Sequence, residues 1–276
     1  MPKKVPLTDF RAVRIVLEPD DFALNSDEPD SPPSDLIQEG TWWGIVGLAD
    51  DVAIRTSDHN GIALGEAYWL LCKWLEAIGE IEDPLFAPML DAADDLKTSV
   101  FSALHGYYRE GFSALRNVLE LIAIATSGCF QNNKRYQDWL NGSQEFKFGA
   151  ACDQLSGEPQ LSKFNSSLRA AGHQSLWDAK QGKLPGGYAR RLYKELCNYA
   201  HSRPGFTDAD LRKSNGPIYV RSVFFDWYYA YLRTASLCSI SMLLARPKGD
   251  HPAITELFTD DPAVIPPDAL EAFKLV

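Results

Sequence analysis

The chain has 276 residues, a formal net charge of −10, 45% hydrophobic residues and 12% aromatic residues. Enough apolar surface is present to offset the conformational entropy of ordering a core, which argues against a disordered chain. The acidic balance argues against a general nucleic-acid coat, because such binding neutralises phosphates with Lys and Arg.

Cys72, Cys129, Cys152, Cys197 and Cys238 lie far apart, with no CxxC pair and no zinc spacing, so reduced thiols and no metal site are expected. The first residues lack the apolar core of a signal peptide, and no uncharged apolar run reaches roughly 18 residues. A soluble, cytoplasmic protein without a membrane partner or cofactor is therefore expected.

Residues 1–58 read as an N-terminal arm and acidic loop. RAVRIVLE alternates as a short strand does, PDDFALNSDEPDSPPSD has little to bury, and a strand pair competes with a helix for Thr41–Asp58. Residues 59–247 read as a helical core domain. Leu64, Ala67, Tyr68, Leu71, Trp74, Leu75 and Ile78 recur at three and four residues from about Gly61, and Gly79 ends the stripe. Asp83-Pro84 resembles an N-cap followed by proline at the first helical position, opening a long run to Cys129 that Gly106 divides or kinks.

Shorter helices are expected at Tyr136–Leu140, Phe146–Leu155 and Leu161–Ala171, separated by turn signals. Tyr188–His201 and Ser222–Ala245 follow, with GPIYV as a brief extended segment between them. Residues 248–276 read as an acidic, Pro-punctuated appendage with short helices at Ala253–Phe258 and Asp268–Phe273. The fold class is thus mainly α: a helical bundle with a small irregular or β-containing N-terminal segment.

Charge is uneven along this framework. Residues 1–100 carry 20 Asp/Glu against 7 Lys/Arg, whereas residues 180–221 carry 9 Lys/Arg against 3 Asp/Glu. The later region suits an anion such as RNA or a nucleotide, and the acidic N-terminal region suits a protein partner.

Two segments carry the candidate chemistry. In Leu104–Ala125, a helix running through Gly106 would place Arg109, Arg116 and Glu120 at about 40°, 20° and 60° from His105, on one stripe of an otherwise apolar helix. Such charges need partners, so a structural ion-pair network competes with a ligand or catalytic site. In YARRLYKELCNYAHSRPG, Arg191, Glu195, Asn198 and Ser202 share a stripe, with Lys194 and His201 beside it. His201 fits either a helix C-terminal cap or an imidazole that moves a proton near neutral pH. Phe224, Trp227, Tyr228, Tyr231 and Leu232 face one way as core, with base stacking or a subunit interface as alternatives.

RNVLE, followed far downstream by RRLYKELCNYAHSRPG and an aromatic-rich helix, resembles the HEPN-like helical proteins of prokaryotic toxin–antitoxin and phage-defence systems. The resemblance covers roughly Asp83–Ala245. It implies a helical bundle that forms dimers, with ribonuclease members using an Arg and a His separated by four to six residues. Here His201 follows Arg191 after nine residues, and the pair that fits formally, Arg246 and His251 across PKGD, reads as a loop.

A metal-independent RNA cleavage would use His201 as the base for a ribose 2′-OH and Arg109 and Arg116 to hold the phosphate, with Asn198 as an orienting group. His105, Glu120, Arg191 and Lys194 would line the substrate. The alternative is a non-catalytic binding protein whose polar stripes are structural or hold a nucleotide or a protein partner.

Overall fold

The computed structural model describes residues 39–79, 81, 84–130, 134–170, 172–179, 186–200 and 216–245. The chain divides into two compact units, Met1–Gly47 and Leu48–Val276. In the first, the described residues form α1 (Glu39–Trp42) and one π-helical stretch (Trp43–Gly47). The expected strand at RAVRIVLE, His201 and the C-terminal appendage all lie outside the described residues.

The second unit is a bundle of α2 (Leu48–Ile78), α3 (Phe86–Leu104), α4 (Tyr108–Cys129), α5 (Lys134–Leu140), α6 (Phe148–Gly157), α7 (Pro159–Ala170), α8 (Gly187–Ala200) and α9 (Arg221–Ala245). No strand occurs among the described residues. Thr41–Asp58 is helical, so the strand-pair option is corrected: Val52, Thr56, Asn60, Ala63 and Ala67 are buried at three- and four-residue spacing. Helix α2 therefore starts well before Gly61 and kinks at Asn60, whose backbone leaves helical geometry (φ −135°, ψ 26°). The Asn60 side chain donates to the Thr56 carbonyl and to the Tyr219 hydroxyl, both at 3.2 Å. Helix α3 begins at Phe86, two residues beyond Pro84, which lies in a turn.

Helices α3 and α4 form a hairpin, and α4 also packs on α9, α8 and α6. The reversal depends on Gly106, whose φ of +78° is left-handed. A Cβ there would also stand 2.4 Å from the Ile218 carbonyl oxygen. The core is aromatic, and the N–H groups of its three fully buried tryptophans are matched. Trp74 donates to the Met89 carbonyl at 3.1 Å, Trp227 to Ser99 Oγ at 2.9 Å, and Trp177 to Ser241 Oγ at 3.0 Å. Burying these indoles with their N–H groups satisfied keeps the large area gain without a desolvation penalty. Helix α9 is buried on nearly every side: Phe224, Trp227, Tyr228, Tyr231 and Leu232 all lie in the core. No helix among the described residues is long and apolar enough to cross a membrane.

Candidate functional site

Helices α4 and α8 pack against each other, so the two charged segments do share a seam. At its centre Arg116 donates through Nη2 to the Tyr193 hydroxyl at 2.6 Å and lies 3.0 Å from Glu120 Oε2. Through Nε it donates to Cys197 Sγ at 3.4 Å. Tyr193 donates onward to Glu120 at 3.1 Å, closing a triangle. The Tyr193 ring carries the Arg116 guanidinium 5.0 Å from its centroid and stacks on Phe148 at 3.9 Å.

Burial works against the Arg116 charge, but the bond to Cys197 and the neighbouring Tyr193 and Glu120 overcome it and raise the pKa above its ordinary value. The Tyr193 phenol is pushed up by burial first and by Glu120 second, so it stays a donor. Glu120 and Arg116 retain about a quarter of their side-chain exposure (27% and 24%), which leaves the triangle at the rim of the fold rather than sealed inside it.

Further along the seam, Arg109 Nε donates to the Tyr199 carbonyl at 3.1 Å, placing a cation against the last turn of α8. His105 does not join this stripe. It is the C-cap of α3, its Nδ1 lies 2.8 Å from the Phe101 carbonyl, and its ring sits 4.1 Å from that of Phe101. The helical angle that would align it with Arg109 is interrupted by the left-handed turn at Gly106. On α8, Arg191, Lys194 and Asn198 are exposed, and Glu195 is held by Arg233 of α9 through two bonds of 2.7 and 3.1 Å. The structure thus brings Arg109, Arg116 and Glu120 to one seam, leaves His105 on another helix, and says nothing of His201.

On the other side of Glu120 a cleft of about 640 Å³ opens. Asp95 of α3, Asn117, Glu120, Leu121 and Ile124 of α4, Trp139 of α5, and Gly142 with Gln144, Glu145, Phe146 and Lys147 line it. Its volume falls in the range of small-ligand pockets. Asn117 hydrogen-bonds Asp95, whose pKa is nevertheless raised, by burial first and also by Asp91 and Asp94. Sequence reasoning singled out Glu120 but missed Asp95, Asn117, Trp139 and Glu145, because three separated segments supply them and no local motif joins the three. The missed signal is the run Asp91–Asp94–Asp95: on a helix it repeats at three and four residues, aligning carboxylates along one side.

No group of three or more His, Cys, Asp or Glu side chains among the described residues is placed to hold a metal ion. No family model, curated protein or solved structure matches the chain.

Proposed function

We propose that this chain is a non-catalytic helical binding protein, in which the α4–α8 seam is structural and the adjoining cleft receives a small ligand. The observation that carries this reading is the engagement of Arg116 by Glu120, Tyr193 and Cys197 together. A guanidinium committed to a carboxylate, a phenol and a thiol must break those bonds before it can hold a phosphate. The cleft beside it has the volume and the mixed apolar and polar lining of a ligand site.

One observation favours a second reading, a HEPN-like, metal-independent endoribonuclease of a phage-defence or toxin–antitoxin system. Arg109 reaches the carbonyl of Tyr199, two residues before His201 in the chain, so a cation stands at the end of α8. Incubating purified protein with total RNA in EDTA separates the two readings. The binding reading requires intact RNA. Cleavage that is lost in both His201→Ala and Arg109→Ala, with unchanged thermal unfolding, overturns it in favour of the nuclease.

A further inference from the structure

The cleft beside Glu120 differs in sign from the α8 surface. Its floor is apolar, built by Leu121, Ile124, Trp139 and Phe146, of which Ile124 and Phe146 are buried. Its rim carries one carboxylate from each of three elements: Asp95 from α3, Glu120 from α4 and Glu145 from the α5–α6 connection. Glu120 is already neutralised by Arg116. Lys147 is the cation among the lining residues, and Arg135, outside the lining, holds its guanidinium 4.8 Å from the Phe146 ring centroid. Among the lining residues the carboxylates Asp95, Glu120 and Glu145 stand against the single cation Lys147, so the lining carries more negative than positive charge.

Resting on the binding reading above, we infer that this cleft takes an organic cation: an ammonium or amidinium group on an aromatic or alkyl body. The body covers the apolar floor, and the charged head meets Asp95, which is half-buried and therefore less screened than a surface carboxylate. Trp139, also half-buried, adds a ring face that attracts cations, and the Arg135–Phe146 pairing is an instance of the same attraction within the chain. An anionic nucleotide of similar size would face these carboxylates with like charge.

Three indole probes of similar size and different charge test this: tryptamine, tryptophol and indole-3-acetate, titrated calorimetrically into the full chain. Tryptamine is expected to bind about tenfold more tightly than tryptophol, with indole-3-acetate weakest. Asp95→Asn should bring tryptamine to the tryptophol level, and Glu145→Gln, at an exposed position that does not threaten folding, should weaken it in the same direction. Filling the floor with Leu121→Trp should abolish all binding. Equal affinities for tryptamine and tryptophol, both lost in Leu121→Trp, overturn the cation inference and leave the cleft reading standing. Absence of binding by all three probes, or binding indifferent to Leu121→Trp, overturns the cleft reading as well.

Discussion

Arg116 and Tyr193 meet across the α4–α8 seam at 2.6 Å, with the phenol also donating to Glu120 at 3.1 Å. The hydroxyl is thus the joint between an ion pair on one helix and the surface of another. Tyr193→Phe removes that joint while keeping the ring's stacking on Phe148. It should destabilise the fold by about 1 kcal/mol, and Arg116→Met by about 1–3 kcal/mol, because each leaves polar partners less satisfied. Urea unfolding of the two single variants and the double variant checks this. The pair is coupled if the double variant loses less than the two separate losses together.

Gly106→Ala should lower stability by about 1–3 kcal/mol, since alanine must adopt a left-handed φ. A second cost adds to it, because the new methyl meets the Ile218 backbone at 2.4 Å. Gly142→Ala provides the comparison: its φ is +67°, yet nothing lies within 4 Å of the added Cβ. The thermal midpoint should therefore fall further at Gly106 than at Gly142, and equal losses would show that the approach to Ile218 contributes nothing.

The helices were legible where apolar spacing was strict. Of the stripe read from spacing, Ala67, Leu71, Trp74 and Ile78 are buried whereas Tyr68 and Leu75 are exposed, and the proline and glycine signals bracket α5 to α9 to within a few residues. Thr41–Asp58 remained ambiguous because Trp, Ile and Val suit a strand as well as a helix, and only burial against neighbouring helices decides between them. The candidate site was half legible. Arg116 and Glu120, four residues apart, pair on one helix face whatever the tertiary fold. Tyr193, which completes the triangle, lies 73 residues from Glu120, and no local rule connects them. His105 joins the Arg109 stripe only in a helix that runs through Gly106, and the left-handed φ of that glycine separates α3 from α4 instead.

Tyr231 is fully buried, and its hydroxyl has no hydrogen-bond partner among the described residues. Burial pushes its pKa upward, with Cys72 adding to the shift. An unpartnered buried hydroxyl carries a desolvation cost of about 1–3 kcal/mol, so Tyr231→Phe should leave stability unchanged or raise it. Chemical denaturation at neutral pH checks the sign, and a clear loss would mean that the hydroxyl is bonded in solution.

Alkaline pH should unfold this protein through groups that resist ionisation while folded. Burial pushes the thiol of Cys152 and the phenol of Tyr108 each up to about 12, and drives Cys238 and Tyr231 upward as well. In the unfolded chain these groups ionise at their ordinary values, 9.0 for a thiol and 10.0 for a phenol. Between those values and the folded ones, the native state holds more protons than the unfolded state. The derivative of unfolding free energy with pH is then negative, so stability is intact below the ordinary thiol value and is lost as pH rises through the window above it. Each fully engaged group contributes a slope of about 1.4 kcal/mol per pH unit. Urea midpoints taken from about pH 8 to about pH 11 should therefore fall steadily. Cys152→Ala should make that fall shallower even though the cavity lowers stability at every pH. An unchanged slope in Cys152→Ala, or rapid labelling of Cys152 by a thiol reagent in the native protein, would show that the thiol is not held protonated by burial.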